Sequence, residues 1–126
     1  MKIGDIGEAI TLVTPDKLAK MWGSGALDVF ATPSMIGYME KACVMAIEHG
    51  LEQGFSTVGS AVNVWHLAPS VIGKAIHTRG ELVEIDGRRL TFKVTAWDES
   101  GLIGEGTHER FVVNNERFLA KAKARK

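Results

Sequence analysis

Apolar residues follow two different rhythms along this chain. Between positions 33 and 49 nearly everything outside one narrow stripe is apolar: Met35, Ile36, Met39, Ala42, Cys43, Val44, Met45, Ala46 and Ile47. At about 100° per residue, Gly37, Lys41 and Glu48 fall together on that stripe. The spacing predicts a helix over 33–49. Thr32-Pro33 supplies its start, threonine as cap and proline at the first helical position, and Gly50 stops it. A helix apolar over so wide an arc has to be covered on most sides. It is too short to cross a bilayer, so it belongs in a core.

The flanking segments alternate instead. Residues 6–13 (IGEAITLV) read as a short strand ended by Thr14-Pro15, and 15–21 as one or two helical turns. Met21-Trp22-Gly23-Ser24-Gly25 reads as a mobile loop, with two glycines close behind a large aromatic. After the helix, residues 57–67, 73–85, 89–98 and 102–113 read as strands, the first closed by Ala68-Pro69. Asp86-Gly87 is a hairpin signal and Glu99-Ser100-Gly101 a second turn. The closing NNERFLAKAKARK begins a short helix. One strand, a buried helix and four consecutive strands make an α+β fold, in which a mainly antiparallel sheet wraps around one central helix. No linker, repeat or low-complexity stretch interrupts 1–126, which reads as a single domain.

Composition narrows the function. Lys+Arg and Asp+Glu are 15 each, so the balanced charge gives no long-range field for nucleic acid or an anionic membrane. The end of the chain is the local exception, with Arg117, Lys121, Lys123, Arg125 and Lys126. It reads as a solvated tail, the alternative being a patch for the phosphates of a nucleotide-bearing ligand or for anionic lipid. A single cysteine, Cys43, excludes an internal disulfide and a Cys-based zinc site. The opening MKIGDIGEAI has no long apolar run of the secretory kind, so a cytoplasmic location is expected.

Glu40 departs from the helix pattern. It falls between Ile36, Val44 and Ile47, away from the polar stripe, and a carboxylate within an apolar arc costs several kcal/mol (roughly) unless protonated, paired or at a wet cleft. A buried carboxylate satisfied by an arginine is the bland reading. A general base, or the orienter of an attacking water, is the favoured one. In 57–67 one parity reads Val58, Ser60, Val62, Val64, His66, an apolar face ending in an imidazole. Alone, such a histidine is more often a structural hydrogen-bonder. His49, His77 and His108 have no marked setting, and no metal-ligand spacing is present. Thr32 fits a helix cap, yet the start of a helix also favours a developing oxyanion; both readings stay open. Cys43 reads as inert packing.

These residues also carry a likeness. The stretch VFATPSMIGYMEKACVMAIE, followed by VGSAVNVWHLAPSVIGKAI, EIDGRRLTFKVTAWD and GEGTHERFVV, resembles the fluoroacetyl-CoA thioesterase group of hot-dog proteins. The resemblance runs from about Val29 to the C-terminal helix, with the AT…ME, H-x-A-P-x-x-x-G and GTHER segments in family order. It implies a hot-dog fold and a catalytic set of Thr32, Glu40 and His66, with Gly59 lining the acyl site and Arg110 nearby. Phe30 is retained beside that site. It further implies an acyl-CoA substrate, no cofactor beyond the CoA that the substrate brings, and a homodimer with its site at the interface, where Glu40 and His66 can come from different subunits. The segment KLAKMWGSGALDVF departs from the family: it is shorter and lacks the phenylalanine pair that lids the fluorinated acyl group. Thioester hydrolysis of a short acyl-CoA therefore carries over, whereas the fluoroacetyl preference does not. The competing readings are a hot-dog acyl-CoA hydratase or dehydratase, and a non-catalytic acyl-CoA-binding module.

Overall fold

The computed structural model describes residues 1–125. Strand β1 (Ile6–Leu12) leads through a 3-10 turn (Pro15–Lys17) and a short helix α1 (Ala19–Trp22) to the long helix α2 (Thr32–Ile47). Strands β2 (Phe55–His66), β3 (Ala75–Asp86), β4 (Arg89–Asp98) and β5 (Gly101–Asn114) follow, and helix α3 (Asn115–Ala124) closes the described chain. The sheet has five strands in the order β1-β3-β4-β5-β2, each neighbouring pair antiparallel.

Two glycines seat the helix on the sheet. Gly7 of β1 and Gly80 of β3 are direct register partners. A Cβ on Gly7 would run into the backbone of Ala42 and Ala46, and one on Gly80 would lie 2.6 Å from Cys43 Sγ. Bare backbone at both positions lets α2 descend to the sheet between Ala42 and Ala46. Met35, Met39, Cys43 and Ile47 then reach a buried layer of Ile76, Leu82, Leu90, Phe92, Val94 and Ile103.

Several boundaries differ from the sequence reading. Gly50 ends a short 3-10 turn (Glu48–Gly50), because α2 itself stops at Ile47. The β3–β4 turn is Gly87-Arg88, with Asp86 and Arg89 paired across it and Gly87 in the left-handed region at φ 62°. Met21 and Trp22 are not loose. They end α1, Gly23 caps it at φ 71°, and the Trp22 indole donates to Ser34 Oγ over 2.9 Å.

Within one chain α2 lies mainly over β1 and β3 and reaches β5 through Met35 at Gly104, leaving edge strand β2 the most open. Ile36, Glu40 and Val44 on the flank toward β2 are only half-buried, and Met45 keeps 41% of its exposure. Strand β2 is an edge strand whose residues from Gly59 to Asn63 are exposed.

Candidate active site

Thr32 is not the cap of α2. Ala31 holds that position in extended conformation, and no side chain caps the helix. Thr32 is the first helical residue with Pro33 behind it, so its hydroxyl is released from backbone duty. It meets His66 Nδ1 at 2.8 Å. His66 is the last residue of β2, held opposite Gly104 by the β2–β5 ladder. Burial pushes its imidazole pKa below the ordinary 6.5, which favours the neutral ring. Its Nε2 is buried and has no hydrogen-bond partner among the described residues. A hydroxyl beside a neutral imidazole is the arrangement of a nucleophile and its base.

A cavity of about 470 Å³ opens on this pair, lined by Phe30, Ala26, Leu27, Pro69 and the two residues themselves. Phe30 is buried, its N–H donating to the Ser70 carbonyl at 2.8 Å. Ser70 Oγ in turn donates to the Asp98 carboxylate at 2.7 Å, both residues being buried. The cavity wall is thus tied to the end of β4.

The second constellation lies at the flank of α2. Glu40 Oε2 stands 3.6 Å from Arg110 Nη1 and 4.0 Å from His108 Nε2. Arg110 is buried and fully engaged. Its Nε donates to Thr57 Oγ1 at 2.8 Å, Nη2 to the Thr57 carbonyl at 3.0 Å, and Nη1 to His108 Nε2 at 3.1 Å. His108 donates from Nδ1 to the Ala61 carbonyl at 2.8 Å, which leaves Nε2 bare to accept. Burial, and then the Arg110 charge, hold its pKa below 6.5, against a pull upward from that carbonyl bond. Gly59 completes the group, since a Cβ there would sit 2.9 Å from Glu40 Oε2. The β2–β5 register shifts between Gly59 and Ala61, and this bulge sets the Ala61 carbonyl against His108.

The sequence reading put the site at a dimer interface, with Glu40 and His66 free to come from different subunits, and a single chain does not bring the two together. Gly59 pairs with Arg110 whereas His66 pairs with Gly104. That stretch of β5 separates the two groups by roughly 20 Å at about 3.4 Å per residue. Nor is Glu40 deeply buried: its side chain keeps 41% exposure, because its flank faces the uncovered side of the sheet. His108, which had no marked setting in the sequence, is 2% exposed and braces Arg110. Its signal was its parity with Arg110 on β5, obscured because Gly104 and Gly106 give that face no apolar rhythm. Cys43 is buried and its thiol pKa is pushed up to about 12 by burial, the state of a packing residue. No group of three or more His, Cys, Asp or Glu is placed to hold a metal among the described residues. No helix among them is long and apolar enough to cross a membrane.

Comparison with known proteins identifies the fold and the family. The family model for the fluoroacetyl-CoA-specific thioesterase matches residues 13–116. A fluoroacetyl-CoA thioesterase of Streptantibioticus cattleyicolor is 44% identical over 96 residues, 76% of this chain and 69% of the relative. A solved structure of the fluoroacetyl-CoA thioesterase FlK superposes with a TM-score of 0.94 at 36% identity, covering 100% of this chain and 98% of the other. A hot-dog-like protein from Thermanaerovibrio acidaminovorans, 22% identical, superposes at 0.89 over 98% and 91% of the two chains and so shares the fold. With its long helix α2 on a five-stranded antiparallel sheet, this chain has the hot-dog fold and belongs to the fluoroacetyl-CoA-specific thioesterase family.

Proposed function

We propose that the protein hydrolyses short acyl-CoA thioesters in the cytoplasm as a homodimer, each site taking Thr32 and His66 from one subunit and Glu40, Gly59 and Arg110 from the other. The observation that carries this reading is the 2.8 Å contact between Thr32 Oγ1 and His66 Nδ1, set apart along β5 from the Glu40 carboxylate of the same chain, which supports a second copy supplying it. A two-fold axis beside β2, near Val62 and Asn63, brings His66 opposite Gly59 of the other copy. It also pairs the free edge of β2 and covers the half-exposed Ile36 and Val44. The relatives support the substrate class, since a variant of FlK was solved with acetyl-CoA.

In this reading His66 accepts the Thr32 proton at Nδ1 as Oγ1 attacks the thioester carbonyl. The positive end of α2 favours the oxyanion that forms. The oxyanion collapses to an acyl-threonine, and the thiolate leaves with a proton returned through His66. Glu40, oriented by Arg110 at 3.6 Å and given room by Gly59, then draws a proton from the water that releases the acid.

A thiol-release assay with acetyl-, fluoroacetyl-, branched and aromatic acyl-CoAs tests the proposal. Free CoA is expected for at least one short acyl group. Glu40→Gln should remain folded and lose about 100-fold or more in kcat, the scale of a missing general base. Tight binding with no thiol across the panel would make the protein a binding module, and a hydrated product with the thioester intact would make it a hydratase.

A further inference from the structure

Helix α3 (Asn115–Ala124) carries no buried residue. Local terms explain why it is a helix. The Asn114 side chain caps it by accepting from the Arg117 N–H at 3.1 Å, Glu116 suits its positive end, and Lys121 and Lys123 suit its negative end. Those terms leave Phe118 and Leu119 unexplained, standing 40% and 55% exposed on a helix too short to be stable in water by itself. At about 100° per residue, Phe118, Leu119 and Ala122 share one apolar strip. Arg117, Lys121 and Arg125 border one flank of that strip, and Lys123 borders the other.

Beside the strip, a groove of about 640 Å³ runs between α3 and the end of β5. Val113, Phe118, Ala120 and Ala124 give it apolar walls, and Arg88, Arg117 and Lys121 line it as well. Arg88 comes from the β3–β4 turn, so the fold adds a cation from elsewhere in the chain to those of the helix. None of Arg88, Arg117, Lys121, Lys123 and Arg125 makes an ion pair among the described residues. An apolar strip between unneutralised cations, with a cation-lined apolar groove at its side, is complementary to acyl chains beneath anionic headgroups. Nucleic acid would meet the cations and leave Phe118 and Leu119 in water. A second copy packed strip to strip would set cation against cation. We propose that α3 docks the protein on an anionic lipid surface, with Phe118 and Leu119 at the acyl boundary and Arg88, Arg117 and Lys121 on headgroup phosphates. At ~15 Å the helix lies in the interface and does not cross the bilayer. The contact is independent of the thioesterase reading and uses none of the residues placed in catalysis.

Co-sedimentation with vesicles tests it, using phosphatidylcholine alone and phosphatidylcholine with roughly one-third phosphatidylserine. The wild type should pellet with the anionic vesicles, stay free of the neutral ones, and be released as salt is raised. Arg117→Glu/Lys121→Glu should bind the anionic vesicles at least ~10-fold more weakly. Phe118→Ser keeps every charge and should also bind several-fold more weakly. Both variants should retain wild-type circular dichroism and wild-type thiol release from soluble acyl-CoA. Absent or equal wild-type binding to the two vesicle types would overturn the proposal, as would wild-type affinity in either variant. Vesicle binding that Phe118→Ser leaves intact would make the patch a purely electrostatic one. A change from dimer to monomer in Phe118→Ser, with no vesicle binding by the wild type, would assign the strip to contact between copies.

Discussion

Thr32 and His66 show how one residue's neighbours change its role. Relieved of capping by Ala31, the Thr32 hydroxyl has an imidazole at 2.8 Å. That imidazole works as an acceptor only when neutral. Burial lowers its pKa from 6.5, so the neutral form persists through neutral pH and is lost as pH falls below that range. The rate is therefore expected to be level near neutrality and to decline only at pH below the ordinary imidazole range. A pH profile of kcat/KM checks this, and the residual activity of His66→Ala should lack that acid limb. Thr32→Ala should lose about 100-fold or more in kcat with unchanged circular dichroism, the scale of losing a nucleophile or its base. Wild-type turnover in Thr32→Ala would place the chemistry elsewhere. Much of this was legible at the level of residue type: Glu40 broke an apolar pattern, and His66 ended an apolar face. What the sequence did not show was which groups touch. Thr32 looked like a cap because its partner lies across the fold, and His108 went unmarked because glycines share its face of β5.

At the scale of elements, α2 was readable from its near-continuous apolar surface, and the four later strands from their alternation and turn residues. Boundaries moved by a residue or two where turn geometry decided them, as at Gly87-Arg88. The paired Gly7 and Gly80 explain how the helix lies so close to the sheet, which no periodicity signals. Gly80→Ala would press a methyl group to 2.6 Å from Cys43 Sγ. The expected cost is about 1–3 kcal/mol from overpacking, seen as a lower Tm. An unchanged Tm would mean that α2 lifts freely from the sheet. Edge strand β2 supplies a second test. The Asn63 carbonyl faces Gly106 of β5, so by alternation the neighbouring Val62 turns its N–H to the free edge, and proline at Val62 removes a donor and adds a ring at the proposed two-fold. Val62→Pro should shift the protein from dimer to monomer in analytical ultracentrifugation and abolish thiol release with it. A fully active monomer would contradict the shared site.

For the whole molecule, the uncovered side of the sheet is the decisive feature. The width of the apolar arc on α2 called for cover on most sides, and the chain's own sheet supplies only part of it. The half-exposed flank of Ile36, Glu40 and Val44 and the free edge of β2 border the same open space. In the proposed dimer a second copy covers both, and the carboxylate of one subunit meets the imidazole of the other. Sequence patterns record what must be covered but not whether the same chain covers it, so the division of Glu40 and His66 between subunits came from the family resemblance and not from the apolar arc. Mixing two inactive variants tests the shared site most directly. His66→Ala and Glu40→Gln are unfolded together, refolded as a mixture and assayed for thiol release beside each variant alone. If sites are shared across the dimer, half the dimers are mixed and each holds one intact site, so about a quarter of wild-type turnover should return. If the mixture stays as inactive as its components while mixed dimers form, each site is built within one chain, and a catalytic centre divided between subunits is ruled out.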